Sequence, residues 1–185
     1  MNSKVKKLVG IGLFAAIIIA LQYVFGPIKV GTTSINPVLV PVVVGAAVYG
    51  WQAGAILGLV SGFAILWLAP PTDFFAISVV GTVVTVLLKG AASGLIAGAV
   101  YHLLQRWNRF VAVLVAAILC PVVNTGLFIA GCYVFFYDAM IAGAAGQIFF
   151  VYLALMIGVN FLVELGINVV LSPVIVRLVK AAKKN

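Results

Sequence analysis

Six apolar stretches divide the chain, and short segments rich in glycine, proline and polar residues separate them. A helix that crosses the hydrocarbon core of a bilayer needs about 20 apolar residues, because each residue advances it by about 1.5 Å. The pattern therefore predicts an all-α membrane bundle of six helices, forming one domain over residues 1–185. The predicted helices cover residues 8–25, 37–49, 53–68, 75–104, 110–137 and 148–176.

Small residues recur at every fourth position in three of these helices. This spacing puts them on one helix face, where they allow a second helix to approach closely. We interpret the stripe in residues 53–68 as a contact inside the bundle. For the first helix, packing inside the bundle and docking of another subunit are equally compatible with the pattern. The stripes are Gly12, Ala16 and Ala20; Gly54, Gly58 and Gly62; and Gly90, Gly94 and Gly98.

The connections are expected to be short, with one exception. Residues 27–36 form a longer extracellular connection, which fits either a lid over a binding site or an ordinary loop. A tight turn is expected at residues 50–52, and outer loops are expected at 69–73 and 142–147. Pro173 is expected to kink the last helix or to mark its exit from the membrane.

Composition supports this prediction: 65% of the 185 residues are hydrophobic, 8% are charged, and the mean hydropathy is +1.32. Values of this kind are typical of integral membrane proteins and leave no room for a soluble catalytic domain. Neither a GxxxxGK[ST] nor a GxGxxG phosphate-binding loop occurs in the sequence.

The net charge of +8 points to membrane orientation and not to nucleic-acid binding. Nine of the eleven basic residues lie outside the predicted spans in three clusters, and positive clusters favour the cytoplasmic side. Both termini are therefore expected in the cytoplasm, which requires an even number of helices. The clusters contain Lys4, Lys6 and Lys7; Arg106 and Arg109; and Arg177, Lys180, Lys183 and Lys184.

The last helix contains the sequence NFLVELGIN, in which Asn160, Glu164 and Asn168 are spaced four residues apart. These three side chains share one face of a helix. A carboxylate in hydrocarbon costs several kcal/mol unless it is paired or hydrated, so this face is expected to point into the bundle or a cavity.

Three helices carry polar residues at one depth, because Lys89, Asn124, Asn160 and Glu164 all lie roughly 20–25 Å above the cytoplasmic helix ends. A solute site with one cation, one anion and amides explains this agreement. A structural Lys89–Glu164 ion pair satisfied by the two asparagines, or a proton relay through Glu164, would also explain it.

Other classes of function receive less support. Cys120 and Cys132 lie about 18 Å apart along one predicted helix, so they are interpreted as buried and unpaired. His102 is expected near the membrane interface, and without a second histidine or a cysteine nearby it predicts no metal site. The intramembrane serines lack a histidine or aspartate partner, which argues against an enzyme. A standalone secondary transporter is a further alternative, although no internal repeat is evident.

Five segments in order resemble the substrate-binding S components of energy-coupling factor (ECF) vitamin transporters. The first helix, with GLFAAIIIAL, resembles the docking helix of that family, although Gly12 stands where alanine is usual. The remaining segments are INPVLVPVVVGAAVYGWQAGAILGLVSGF, LLKGAASGLIAGAVYHLL, PVVNTGLFIAGCYVFF and NFLVELGINVVLSPVI.

The resemblance implies six helices, a vitamin bound on the extracellular side, and no cofactor. It also implies that the protein docks onto a transmembrane coupling subunit driven by two cytoplasmic ATPases and topples in the membrane to deliver its substrate. The pattern is most similar to the pantothenate group, while riboflavin, folate and cobalamin relatives share the scaffold. Trp67 and several phenylalanines could provide the stacking surface that a flavin needs. By position, Gly12, Ala16 and Ala20 would form the docking face, and Lys89, Asn124, Asn160 and Glu164 would face the vitamin.

Overall fold

The computed structural model describes residues 3–27, 29–30, 33–34, 37–143 and 148–182. Within these ranges the chain is helical, apart from two two-residue strands that pair antiparallel. The elements are α1 (Ser3–Phe25), β1 (Lys29–Val30), β2 (Thr33–Ser34), α2 (Leu39–Tyr49), α3 (Trp51–Leu68), α4 (Thr72–Ile77), α5 (Val79–Leu104), α6 (Arg109–Phe135), α7 (Tyr137–Gly143) and α8 (Phe149–Ala182).

Five of the described helices, α1, α3, α5, α6 and α8, are long and apolar enough to cross a membrane. This confirms the predicted all-helical membrane fold. The short helix α2 has 11 residues and is therefore about 16 Å long, roughly half the thickness of the hydrocarbon core. It packs against α1, α3, α5, α6 and α8, and its apolar residues from Leu39 to Ala47 are nearly all buried. A helix that is apolar all round is expected at the centre of a bundle.

The glycine stripes of α3 and α5 face each other in an antiparallel contact. A Cβ atom on Gly54 would overlap the backbone carbonyl of Gly94, and one on Gly58 would overlap that of Gly90. The reverse contacts hold for Gly94 and Gly90, so the two backbones touch directly. The prediction that the stripe of α3 packs inside the bundle is therefore confirmed. Contact between backbones is a main source of helix association in lipid, where burial from water contributes little.

The structure corrects several predicted boundaries. The helix predicted over 75–104 is divided at Ser78, whose backbone is extended (φ −155°, ψ 110°) and whose hydroxyl accepts a hydrogen bond from the Gly81 amide at 3.1 Å. Such a serine is a favourable N-cap, and it begins α5 at residue 79. The expected turn at 50–52 is a single residue, Gly50, whose φ of +103° suits only glycine.

The ends of the last two long helices also differ from the prediction. The helix predicted over 110–137 ends at Phe135, and the short α7 follows. The last helix continues through Pro173 to Ala182, because Ile175, Val176 and Val179 remain buried in the core beyond the proline. Cys120 and Cys132 are both buried and unpaired, as predicted.

Two predicted connections lie partly outside the described residues. In the segment 27–36, the strands β1 and β2 pair Lys29 with Ser34 and Val30 with Thr33, and β2 lies against α8. The proposed lid role of this segment stays a prediction. The expected loop at 142–147 begins within α7, and residues 144–147 are outside the described ranges.

We expect Gly58→Ala to destabilise the protein, because the added methyl group would force the α3 and α5 backbones apart. Overpacking of this kind costs about 1–3 kcal/mol, and the effect is measured as a lower unfolding temperature in detergent. Gly166→Ala is the matched control, since a Cβ atom at Gly166 meets nothing within 4 Å. Equal unfolding temperatures for the two variants would contradict the close α3–α5 contact.

Candidate functional site

A cavity lies at the end of the bundle where α1 ends and α2 begins. Val38 and Leu39, at the start of α2, contribute to its wall, as do residues 69–74, which form the α3–α4 connection and the first turn of α4. The volume of this cavity that is open to the centres of water molecules is about 100 Å³. One water needs about 10–15 Å³ by this measure, so the cavity has room for several waters or for a small polar solute.

All four polar residues that were predicted to lie at one depth line this cavity. Lys89 reaches it from α5, Asn124 from α6, and Asn160 and Glu164 from α8. Helices far apart in sequence thus bring a cation, an anion and two amides to one space. The structure places them together, while their role in binding a substrate stays a proposal.

The polar face of α8 is ordered by hydrogen bonds along the helix. Asn160 Nδ2 donates to Glu164 Oε1 at 3.2 Å, and Asn168 Nδ2 donates to the backbone carbonyl of Glu164 at 2.9 Å. All three side chains are buried. Their four-residue spacing allows both contacts, because side chains one helical turn apart are neighbours. Asn160 therefore holds the Glu164 carboxylate, while Asn168 lies on the side of Glu164 away from Asn160.

Lys89 and Glu164 face the same cavity without a direct ion pair. No carboxylate of the described residues lies within 4.0 Å of Lys89 Nζ, although Glu164 is close enough to attract it electrostatically. The ammonium instead lies 4.7 Å from the centre of the Phe128 ring, within the range of a cation–π contact. The arrangement differs from the structural ion pair considered above and leaves space between the two charges.

Within the described residues, two buried amide oxygens in the cavity wall have no hydrogen-bond partner: Gln22 Oε1 and Asn160 Oδ1. The sequence analysis did not select Gln22, because in the first helix it considered only the stripe of small residues. A signal was present, since Gln22 is the single amide in the apolar run of that helix and lies one turn before Gly26.

Of the aromatic residues suggested for a flavin, two phenylalanines line the cavity and Trp67 does not. Trp67 is 87% exposed and does not line the cavity. Phe74 and Phe128 do line it, and they pack edge to face with their centroids 5.3 Å apart. Each ring presents an edge or face to the other, so the pair forms a compact apolar wall beside Lys89.

The small-residue stripe of α1 faces away from the bundle. Gly12, Ala16 and Ala20 are all exposed, and a Cβ atom added to Gly12 would meet nothing within 4 Å. Of the five long helices, α1 is the least buried. Packing inside this bundle, one of the two interpretations of the stripe, is therefore not observed for these residues.

In the part of the chain that the structure describes, no group of three or more histidine, cysteine, aspartate or glutamate side chains could hold a metal ion. The polar groups that line the cavity include the charges of Lys89 and Glu164 and the amides of Gln22, Asn124 and Asn160. Such groups bind and orient a polar molecule.

Comparison with known proteins gives one match. The family described as "ECF transporter, substrate-specific component" matches residues 6–176, which is most of the chain. No curated protein and no solved structure gives a significant match.

Proposed function

The chain belongs to the family of ECF transporter substrate-specific components, and we propose that it binds pantothenate for an ATP-driven vitamin importer of the cell membrane. Members of this family are substrate-binding transport subunits and not enzymes.

The observation that carries the substrate proposal is that Lys89 and Glu164 line one cavity without forming an ion pair with each other. Lys89 provides a cation on one wall, and α8 provides a carboxylate and an unpartnered amide oxygen. A ligand suited to this cavity has an anionic or carbonyl group for Lys89 and hydrogen-bond donors for Glu164 and Asn160. Pantothenate has one carboxylate, two hydroxyls and one amide N–H, and it is small and flexible. Its chemistry fits this arrangement of donors and acceptors.

The proposed orientation has both termini in the cytoplasm and the cavity open to the outside. The described basic clusters lie at the start of α1, at the α5–α6 turn and at the end of α8, which is the opposite end of the bundle from the cavity. Clusters of lysine and arginine favour the cytoplasmic side. Asp73, which is exposed at the cavity, would then face the extracellular solution.

In intact cells, we expect a membrane-impermeant thiol reagent to label Asp73→Cys but to label Ala182→Cys only after permeabilisation. The natural cysteines Cys120 and Cys132 are buried, so the unmodified protein serves as an unlabelled control. Labelling of the Ala182→Cys variant in intact cells would reverse the proposed orientation.

The proposed docking surface consists of Gly12, Ala16 and Ala20. These residues are exposed along one face of α1 and leave room for another backbone to approach. Helices in lipid associate through such close contacts. We assign this face to a transmembrane coupling subunit, which would connect the protein to two cytoplasmic ATPases.

We expect Lys89→Met to weaken pantothenate binding about tenfold or more, because a charge-assisted hydrogen bond contributes roughly 1.5–3 kcal/mol. Calorimetry on the purified protein measures the change. Lys180→Met is the control, since Lys180 is exposed near the end of α8. Unchanged affinity in the Lys89→Met variant would remove Lys89 from the binding site. Wild-type protein that binds no pantothenate would show that the substrate is wrong.

We expect Ala16→Trp to abolish assembly with the coupling subunit and ATP-driven uptake while leaving pantothenate binding intact. The indole would project from the exposed face of α1 and keep the partner helix away. Co-purification with the partner subunits measures assembly, and Ala130→Trp, at an exposed site on α6, is the matched control. Assembly at the wild-type yield would refute the docking surface. Uptake by the protein without any ATPase would favour a standalone transporter.

A further inference from the structure

We propose that Gln22 contacts the substrate, and that the bound substrate thereby ties α1 to the helices that carry Lys89, Asn124 and Glu164. This inference rests on the proposed function, because it assigns a further residue to the same cavity. It adds a physical link between the substrate and the helix that bears the docking surface.

The first observation is the environment of the Gln22 side chain. It is 1% exposed, it lines the cavity, and its Oε1 atom has no hydrogen-bond partner in the part of the chain that the structure describes. A buried polar atom is normally hydrogen-bonded, because burial removes its contacts with water. In a membrane protein, the surrounding hydrocarbon offers no replacement. An occupant of the cavity that donates an O–H or N–H group would satisfy this oxygen.

Gly26 preserves the space around Gln22. The Gly26 amide donates to the Gln22 carbonyl at 2.8 Å, which closes the last turn of α1. A Cβ atom at Gly26 would overlap that carbonyl and would lie 2.8 Å from Ala69 Cβ and 2.9 Å from Gln22 Nε2. The glutamine amide is therefore confined beside the end of α3, at the wall of the cavity.

The second observation is the position of Gln22 around α1. Gln22 and Ile18 are one turn apart and almost fully buried, so they define the inner face of the helix. Ala20 lies about 200° around the helix from Gln22, on the exposed face. One helix thus presents an amide to the cavity and a small-residue stripe to the membrane.

The third observation is the packing of α1, which lies chiefly on α2 and α3. Lys89, Asn124 and Glu164 belong to α5, α6 and α8. A substrate held by these residues and by Gln22 would therefore join α1 to α5, α6 and α8. Without a substrate, α1 is connected to these three helices mainly through α2 and α3. It would favour the positions of α1 that keep Gln22 at the cavity.

Such a link couples two binding events. A ligand changes the affinity of a protein for a partner only if it binds the relevant conformations differently. The coupling is also reciprocal, so the partner must change the affinity for the ligand by the same factor. If Gln22 carries the link, removal of its amide should weaken both substrate binding and the dependence of partner binding on substrate.

The first test compares Gln22→Met, which keeps the length of the side chain and removes the amide, with Val24→Met on the exposed side of α1. With pantothenate as the probe, we expect Kd to rise about threefold to tenfold in the Gln22→Met variant, as for the loss of one hydrogen bond. Val24→Met should bind as the wild type does. Equal affinity of the wild type and a folded Gln22→Met variant would overturn the contact.

The nature of the contact is tested with pantothenate analogues that each lack one hydroxyl. If Gln22 accepts from a hydroxyl, removal of that hydroxyl should weaken binding to the wild type but not weaken binding to Gln22→Met further. The same loss in both proteins for every analogue would place the hydroxyls elsewhere and leave the amide N–H of pantothenate as the donor to Gln22.

The link to the docking helix is tested by measuring the affinity for the coupling subunit with and without saturating pantothenate. In the wild type, pantothenate should change the affinity for the coupling subunit by a certain factor. We expect this factor to be at least about threefold smaller in the Gln22→Met variant. An unchanged factor would overturn the bridging role. If the wild type binds no pantothenate, the proposed substrate fails. The Gln22 comparison is then made with the small molecule that mass spectrometry identifies in the purified wild type, and equal binding by both proteins overturns the inference.

Discussion

The cost of placing charged and amide groups in hydrocarbon is the constraint around which this bundle is arranged. Most of the charged and amide groups that lie deep in the described membrane helices converge on one cavity, while Asn168 donates to the backbone of its own helix. Lys89, Asn160 and Glu164 come from α5 and α8, and Gln22 reaches the same space from α1. Each would be unfavourable if it faced lipid. Burial of these groups inside the bundle is also costly unless they have hydrogen-bond partners. The cavity can hold a polar occupant that provides such partners.

The cavity exists because its central helix is short. At about 16 Å, α2 crosses only about half of the hydrocarbon core, and the cavity wall includes its first residue, Leu39, and the preceding Val38. The long helices continue beyond this point and enclose the space above α2. Direct glycine contacts hold α3 and α5 together at the level of Lys89 and below it. A single packed core below and a polar cavity above follow from these two features.

The sequence predicted the features that depend on simple periodicity and depth. The apolar run lengths located the long helices, and the depth of Lys89, Asn124 and Glu164 placed them at one level, where the structure brings them to one cavity. Features that depend on tertiary contacts were not predicted. The break between α4 and α5 depends on a single serine cap, Ser78. The continuation of α8 past Pro173 depends on core contacts by residues such as Val179. Neither leaves a periodic signal.

The small-residue stripes show why sequence spacing alone could not assign a partner. The stripes of α1 and α3 have the same four-residue spacing, yet a Cβ atom on Gly58 would overlap the backbone of α5, while one on Gly12 would meet nothing within 4 Å. The difference arises from the side chains on the face of α1 opposite its small-residue stripe. In α1, Ile18 and Gln22 occupy the inner face, and Phe14 packs edge to face with Tyr49 at 6.1 Å. Large side chains attach α1 to the bundle, so its small residues are left at the membrane surface. A helix fixed in this way can present a flat backbone to another subunit without loosening its own contacts.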